Sequence, residues 1–169
     1  MKKIIILGCP GSGKSTFAVE LQRYTGLPLV HLDKIWWKPN KTHITRSEFD
    51  EKLDAVLHTD AWIIDGDYSR TYEVRMKACD TVFFLDYSEE TCMAGIRARV
   101  GQERKELPWV ENELAPDLVE EVHRYREQNR LAVLELFEKY PDKEIHIFHN
   151  RKEAEQWLTA QKREICRRI

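Results

Sequence analysis

The sequence has little cysteine: four residues among 169, with no C-x-x-C pair and no cysteine–histidine spacing of the kind that binds zinc. These absences argue against a disulfide framework and against a cysteine-based metal centre. The four thiols are typical of a protein of the reducing cytoplasm, and they belong to Cys9, Cys79, Cys92 and Cys166. We therefore expect a cytoplasmic protein.

Long apolar runs are also absent. Residues 4–7 are apolar and follow Met1-Lys2-Lys3, but Gly8 ends this run well short of the core of a signal peptide. No other apolar stretch approaches the length that spans a bilayer. We therefore expect neither a leader nor a membrane partner.

Neither sign of charge dominates the sequence. Lysine and arginine number 27 against 29 acidic residues, which gives a net charge of −2 and a pI near 6.3. A net charge this close to zero does not favour binding to nucleic acids or anionic membranes, although it leaves open the presence of local basic patches. The basic segment Lys162–Arg168 is one such patch, and we favour a solvated tail as its interpretation.

The composition is typical of one globular domain. Hydrophobic residues make up 42% of the chain and charged residues 33%, and 169 residues are enough to bury a single core. The sequence has no internal repeat and no low-complexity linker. We predict a single domain over residues 1–169, and the sequence leaves the oligomeric state open.

A phosphate-binding loop follows the first apolar run. Residues 8–15 read Gly-Cys-Pro-Gly-Ser-Gly-Lys-Ser, a complete G-x-x-x-x-G-K-[ST] motif. Its glycines let backbone N–H groups surround a triphosphate, Lys14 reaches the β- and γ-phosphates, and Ser15 is placed to bind Mg²⁺. The sequence therefore predicts an ATP site with Mg²⁺, formed by Gly8, Cys9, Pro10, Gly11, Ser12, Gly13, Lys14, Ser15 and Thr16. For the Cys9 side chain we favour a small filler, and the alternative is a thiol whose pKa is lowered by the helix N-terminus.

Strand-like and helix-like segments alternate along the chain, which predicts an α/β fold with a parallel sheet. The predicted strands lie near residues 3–8, 28–32, 61–65, 80–85 and 144–148. The predicted helices lie near residues 14–25, 46–58, 71–77, 88–100, 117–139 and 151–160. Capping signals at Thr45/Glu48 and Asn150/Glu153 support two of the helix starts. Right-handed crossovers bring the carboxyl ends of the strands to one edge of the sheet, where we expect the ligands.

Three predicted strands end in an aspartate. Asp65 is the candidate for the carboxylate that assists Mg²⁺ binding beside Ser15, and a turn-forming role is the alternative. Asp33 is the candidate for binding an acceptor hydroxyl or acting as its base, and a loop cap is the alternative. For Asp86 we favour a structural role, because Ser88 has the position of an N-cap.

An aromatic pair, Trp36-Trp37, follows Asp33 in a predicted loop. Neighbouring residues cannot both face one core, so we expect at least one indole to line a cleft or cover a hinge. Stacking on a base or sugar and plain packing both remain open as roles.

A cationic segment around Gly101 loses helical periodicity and runs through Pro108 to Pro116, as in a mobile lid. Farther on, Arg126 and Arg130 are spaced i, i+4 on one predicted helix face. Arginines directed at a transferring phosphoryl group would stabilise its charge, and a solvated helix face is the alternative. The catalytic candidates are Lys14, Asp33, Arg97, Arg104, Arg126 and Arg130.

The longer motifs resemble a known family. The phosphate loop, Asp33 after the second strand and residues 63–66 (Ile-Ile-Asp-Gly) before a Tyr-Ser-Arg turn resemble the nucleoside monophosphate kinase superfamily. More closely, residues 31–39 (His-Leu-Asp-Lys-Ile-Trp-Trp-Lys-Pro), residues 62–69 (Trp-Ile-Ile-Asp-Gly-Asp-Tyr-Ser) and Arg75 resemble the adenylate-kinase-like branch known as DNA topology modulation proteins. The similarity spans nearly the whole chain.

This resemblance implies a three-layer P-loop NTPase fold with a five-stranded parallel sheet of order 2-3-1-4-5 and a helical lid. It implies an acceptor-binding region near residues 33–60 and a lid near residues 100–115. Adenylate kinases follow the Asp-Gly pair with Phe-Pro-Arg, whereas this chain has Asp67-Tyr68-Ser69-Arg70, so Arg70 or Arg75 becomes the candidate for the acceptor phosphate. The candidate acceptor-binding residues are Asp33, Trp36, Trp37, Asp65, Tyr68, Arg70 and Arg75.

Two classes of function follow from these patterns. The favoured one is a Mg²⁺-dependent phosphotransferase that moves the γ-phosphoryl group of ATP to a small acceptor, with nucleotides among the candidates. The alternative is a nucleotide-dependent regulatory protein that affects DNA topology, which depends on the resemblance alone. That alternative predicts DNA contacts from surface cations such as Arg163, Arg167 and Arg168.

Overall fold

Five parallel strands form the centre of the molecule in the computed structural model, which describes residues 1–166, with side chains through residue 162. The strands are β1 (Lys3–Gly8), β2 (Leu29–His31), β3 (Trp62–Asp65), β4 (Thr81–Leu85) and β5 (Glu144–Phe148). Their order in the sheet is β2-β3-β1-β4-β5, as the resemblance implied. The fold class predicted from the sequence is confirmed.

Helices cover both faces of the sheet and complete a three-layer arrangement. They are α1 (Lys14–Thr25), α2 (Leu32–Trp36), α3 (Arg46–Leu57), α4 (Tyr72–Ala78), α5 (Glu89–Ala98), α6 (Pro116–Tyr125), α7 (Asn129–Lys139) and α8 (Arg151–Cys166). A 3₁₀ turn at Ser69–Thr71 precedes α4. None of the helices described has the length and apolar character needed to cross a membrane.

Local sequence signals determine several of these boundaries. Thr45 and Glu48 form the predicted capping box of α3, with each side chain bonded to the other residue's backbone N–H. The Ser88 hydroxyl accepts a hydrogen bond from the Thr91 N–H and caps α5. Gly26 ends α1 in the left-handed conformation, with φ of 70°.

The single helix predicted at 117–139 is wrong, because the structure has two helices there. The chain leaves α6 after Tyr125 and re-enters a helix at Asn129, although no proline or glycine marks the break. The side chain of Asn129 donates to Asp67 at 2.8 Å, and Arg130 binds Asp86 at 2.7 Å. Contacts with residues that are distant in the sequence therefore determine where α7 begins, and the sequence around residues 126–128 gives no indication of them.

The predicted loop after β2 is also wrong in part, because Leu32–Trp36 forms the short helix α2. No side chain caps its N-terminus, and the buried Leu32 anchors it to the core. This helix places Asp33 and Trp36 beside the carboxyl ends of the strands, where they line the cleft at the edge of the sheet at which ligands were expected.

The carboxyl ends of the central strands place the candidate residues together. Asp65 lies in register with Ile6 on one side and with His31 on the other. Gly8 lies in register with Leu85 of β4. The phosphate loop therefore leaves the sheet between the ends of β3 and β4, with Asp65 next to it.

Candidate active site

A cleft of about 1230 Å³ lies along this edge of the sheet. Pro10, Gly11, Gly13, Lys14, Ser15 and Thr16 of the phosphate loop and α1 line one end. Asp33, Trp36, Trp37 and Tyr68 line the other end, and the segment between α5 and α6 (residues 99–115, the lid segment) covers part of it. The structure thus brings the predicted nucleotide site and most of the predicted acceptor residues into one cavity.

The phosphate loop rests directly on α5. Gly11 has φ of 82°, and a Cβ built on it would lie 2.1 Å from the carbonyl oxygen of Cys92. A Cβ built on Gly95 would lie 2.0 Å from the carbonyl oxygen of Gly11. Both contacts are between backbone atoms, so neither position has room for a side chain. Gly95 was not predicted as a site residue, because only the folded structure brings α5 against the loop.

Lys14 spans the loop from the first residue of α1. Its ammonium donates to the carbonyl oxygens of Gly8 at 2.7 Å and Cys9 at 3.0 Å. The Ser12 hydroxyl is buried and has no hydrogen-bond partner among the described residues. The loop therefore offers a cation and the N-terminal end of a helix, both of which suit a phosphate group.

The Cys9 side chain points away from the cleft and is buried. Contact with Cys92, together with burial, raises the pKa of the Cys9 thiol well above its ordinary value. This environment agrees with the favoured role of a small filler and not with an activated thiol. Cys9 contributes to the loop through its backbone.

Asp65 meets the requirements of a carboxylate near a metal–phosphate complex. It is 3% exposed, and its Oδ2 is 2.8 Å from Nδ1 of His31. Its Oδ1 is buried without a partner in the described part of the chain. Since a buried carboxylate oxygen is costly to leave unsatisfied, this atom has spare capacity for a water or a cation at the cleft.

The donor set fits Mg²⁺ bound together with ATP. Ser15 and Asp65 both line the cleft and supply hard oxygen ligands. The side chains described, those of residues 1–162, include no cluster of three or more histidine, cysteine or acidic groups suited to a metal ion by itself. Phosphate and water oxygens would therefore complete the shell, as Mg²⁺ prefers.

The acceptor end is built around Asp33. The Tyr68 hydroxyl donates to its Oδ1 at 2.8 Å. Burial raises the pKa of Asp33, and nearby Asp65 adds to the shift, while the Tyr68 bond opposes it. A carboxylate with a raised pKa at a partly dry site is a stronger base than one in water.

Both indoles of the aromatic pair line the cleft. The Trp36 ring stacks on His43 at 4.3 Å and meets the edge of Tyr68 at 6.2 Å. Trp37 contacts Trp109 of the lid segment edge-to-face at 5.4 Å. The pair therefore combines packing with exposure to a ligand, and Trp109 joins a wall that the sequence alone did not indicate.

Several predicted arginines lie away from the cleft. Arg75 is fully buried, donates to the Gly66 carbonyl at 2.9 Å and to Thr71 Oγ1 at 3.0 Å, and braces the turn after β3. Arg70 is exposed and binds Asp50 through two hydrogen bonds of 2.9 and 2.6 Å. Neither residue lines the cavity in which an acceptor phosphate would lie.

Among the predicted catalytic arginines, Arg104 alone lines the cleft. Arg130 binds Asp86 through bonds of 2.7 and 2.9 Å, which gives Asp86 its favoured structural role. Arg97 and Arg126 are exposed and outside the cavity lining. The side chains of Arg163, Arg167 and Arg168, named for the DNA-binding alternative, lie outside the described residues.

Three arginines that line the cleft were absent from the predicted site: Arg23, Arg99 and Arg151. Arg99 and Arg104 both contact Glu111 at 3.2 Å, and burial followed by the charge of Arg104 lowers the pKa of Arg99. Arg151 begins α8 and donates to the Gly11 carbonyl at 3.4 Å. Its place directly after the last strand is a signal that could have identified it, since loops after strands form this edge.

A family model described as AAA domain matches residues 4–117, which includes the phosphate loop, Asp33, Asp65 and the lid segment. The chain belongs to the AAA domain family. A search of curated proteins gave no significant match to this AAA domain.

Solved structures with the same P-loop fold cover nearly all of this AAA domain. Shikimate kinase from Acinetobacter baumannii in complex with shikimate has a TM-score of 0.62 at 14% identity, over 99% of this chain and 95% of that one. Shikimate kinase from Aquifex aeolicus has a TM-score of 0.58 at 16% identity, over 96% and 94%. A sugar kinase from Janibacter sp. has a TM-score of 0.55 at 22% identity, over 95% and 91%. At these identities the likeness establishes the fold.

Proposed function

We propose that this AAA domain is a Mg²⁺-dependent phosphotransferase that moves the γ-phosphoryl group of ATP to a hydroxyl group of a small acceptor. The observation that carries the proposal is a single continuous cleft, whose lining includes Lys14 and Ser15 of the phosphate loop and also Asp33, Trp36 and Trp37. A nucleotide-binding protein without an acceptor has no need for a partly buried carboxylate opposite its phosphate loop. The three unpaired thiols Cys9, Cys79 and Cys92 support a cytoplasmic location.

In the proposed reaction, Asp33 accepts the proton of the acceptor hydroxyl. The acceptor oxygen uses its lone pair to bond the γ-phosphorus, the bond from that phosphorus to its bridging oxygen breaks, and ADP leaves with the electron pair. Tyr68 donates to Asp33 and holds the carboxylate in position. A base is most effective when its pKa lies near the working pH, and burial moves the pKa of Asp33 in that direction.

The nucleotide end supplies positioning and charge. Lys14 would release its contacts to Gly8 and Cys9 and bind the β- and γ-phosphates. Mg²⁺ would neutralise phosphate oxygens when it is bound with ATP, and Ser15 and Asp65 are the residues that would hold it. Arg104 and Arg99 lie on the cleft side of the lid segment, from which they would reach the transferring group.

Calorimetric titration of Mg-ATP and the rate of ADP release with a panel of hydroxylated acceptors test this proposal on the parent, Lys14→Ala and Lys52→Ala. Lys52 is exposed on α3 and provides the matched control for loss of one lysine. Lys14→Ala should lose at least ~100-fold in rate, since it removes a cation from the transferring phosphate, and Lys52→Ala should behave as the parent. Equal turnover in all three proteins would refute the assignment.

A further inference from the structure

The charge of the acceptor end limits what the acceptor is, if the proposed phosphotransferase function holds. We propose that this site accepts a hydroxylated compound without negative charge, a neutral or amine-bearing polyol, and discriminates against nucleotides and other anionic acceptors. The acceptor end is defined here as the cleft around Asp33, with Asp67 and Glu121, the three indoles and the two lid arginines.

The lid arginines of the acceptor end lie beside two glutamates. Arg99 and Arg104 both lie 3.2 Å from Glu111, and Arg104 lies 3.4 Å from Glu106. The four side chains of this cluster are between 14% and 22% exposed, so water screens these pairs less than surface pairs. Two arginines beside two glutamates give the cluster no net positive charge, so the cations that serve the transferring phosphoryl group add no surplus for a second anion on the acceptor.

The acids of the acceptor end have no such compensation. Asp33 is bonded to the neutral hydroxyl of Tyr68. Asp67 accepts from the hydroxyl of Tyr72 and the amide of Asn129, both of which are neutral. Glu121 lines the cleft from α6 and has no hydrogen bond or ion pair within the part of the chain that the structure describes. Three carboxylates therefore face this space without a cation bound to them.

A further buried acid lies next to these carboxylates. Asp65 is 3% exposed and lines the cleft, and its Oδ1 has no partner among the described side chains. A hydroxyl, an ammonium group or a hydrated cation would satisfy this oxygen. Since Asp65 is the residue that would hold Mg²⁺ with ATP, the charge argument for the acceptor depends on Asp33, Asp67 and Glu121.

The arginines that could hold an acceptor phosphate are bound elsewhere. Arg70 is paired with Asp50, Arg130 with Asp86, and Arg75 with backbone carbonyls inside the fold. Lys41 and Lys105 also line the cleft, but both are exposed to solvent, where their charge is screened. Bidentate recognition of a phosphate monoester by Arg70, Arg75 or Arg130, the usual arrangement for such groups, is therefore not available at the acceptor end.

The walls of the site suit a polyol. Trp36, Trp37 and Trp109 present aromatic surface beside the carboxylates. Indole faces pack against the C–H faces of sugar-like rings and attract ammonium groups, while the carboxylates accept hydroxyl or ammonium protons. A phosphate or carboxylate group gains nothing from either feature.

The test compares acceptors that share a ring and differ at one substituent that changes the charge: glucose, glucosamine, glucuronic acid and glucose 6-phosphate, with adenosine and AMP as a nucleoside pair. Binding is followed by tryptophan fluorescence in the presence of a non-hydrolysable ATP analogue, and transfer by ADP release. The neutral and amine-bearing members should bind and react at least ~10-fold better than their anionic partners, because like charges at an interface cost several kcal/mol. Preference for the anionic members, or failure of every member to bind, would overturn the inference.

A charge reversal provides the second arm. Glu121→Lys should shift the ratio of neutral to anionic acceptor use by about tenfold toward the anion. The matched control is Glu135→Lys, an exposed position on α7 outside the cleft lining, which should leave the ratio unchanged. An unchanged ratio in Glu121→Lys would contradict the inference. Charge-selective binding without any ADP release would retain the inference about charge and refute the phosphotransferase proposal, so the two failures are distinguishable.

Discussion

Replacing Gly95 with alanine should have two opposing effects on stability, a gain in helix propensity and a steric clash with the phosphate loop. Gly95 lies inside α5, where alanine is the better helix former by about 1 kcal/mol. Its Cβ would lie 2.0 Å from the Gly11 carbonyl oxygen and 2.8 Å from the Gly11 carbonyl carbon. Ordinary contact begins near 3.4 Å, so the loop or the helix must move by about 1.4 Å, the difference between 3.4 and 2.0 Å. No rotamer relieves the clash, because both partners are backbone atoms.

The clash should outweigh the gain in helix propensity. Overpacking of this kind typically costs about 1–3 kcal/mol, which leaves a net loss of up to about 2 kcal/mol after the propensity gain. In a domain of 169 residues that loss lowers Tm by no more than roughly 8 °C. The effect on function should be larger, since a displacement of about 1 Å at a phosphate cradle reduces the rate by ~100-fold.

Thermal unfolding and Mg-ATP titration of Gly95→Ala measure both effects. Glu90→Ala is the matched control, because Glu90 is exposed on the first turn of the same helix and its replacement leaves the loop contact intact. The account predicts weaker nucleotide binding in Gly95→Ala and parental binding in Glu90→Ala. A Gly95→Ala protein that unfolds at or above the parental temperature with unchanged ATP affinity would refute the packing argument.

Three further predictions concern the metal, the proton and the α7 anchor. Asp65→Asn should reduce turnover at limiting Mg²⁺ by at least ~10-fold, while the ATP affinity of the variant without metal stays equal to that of the parent. Equal Mg²⁺ dependence of turnover in the parent and in Asp65→Asn would exclude a role for Asp65 in metal binding. The rate of phosphoryl transfer should fall as the pH drops through the raised pKa of Asp33, because the base must be deprotonated, and the midpoint measured in a pH–rate profile should lie above the ordinary range of aspartate. Arg130→Lys should lower the free energy of unfolding by about 1 kcal/mol, because lysine loses one of the two bonds to Asp86. Urea unfolding measures this loss. A phosphoryl-transfer rate equal to that of the parent would distinguish the structural role of Arg130 from a catalytic one.

The sequence predicts those features that depend on neighbouring residues. The phosphate loop needs its glycines, lysine and serine within residues 8–15, and the capping box of α3 needs only Thr45 and Glu48. The limits of β1, β3 and β4 follow from short apolar runs that end in, or directly before, an aspartate or glycine. Such patterns can be read without knowing what packs against them.

The roles of individual arginines cannot be read in this way. Arg70, Arg75 and Arg130 carry the same charge in the sequence, yet one is paired at the surface, one is buried under carbonyls and one is clamped to a strand-end aspartate. Each outcome depends on a partner brought close by folding. The same reason explains why Gly95 and Trp109 were not predicted as site residues.

The break between α6 and α7 has the same origin. Residues 126–128 have no helix-breaking residue type, and the periodicity continues across them. The side chains of Asn129 and Arg130 reach the loops after β3 and β4 and determine where α7 begins. Bonds between distant residues override local propensity at this point.

The most direct test of the account is transfer of the ³²P-labelled γ-phosphoryl group of ATP to acceptor by the parent and by Asp33→Asn. Asparagine preserves the shape of the side chain and an acceptor for Tyr68, and it removes the proton-accepting carboxylate. The account predicts a loss of at least ~100-fold in acceptor phosphorylation, parental Mg-ATP affinity, and a Tm equal to or above that of the parent, because burial disfavours the charged form of Asp33. Parental phosphorylation of the acceptor by Asp33→Asn would contradict the central claim that Asp33 is the base of a phosphotransferase.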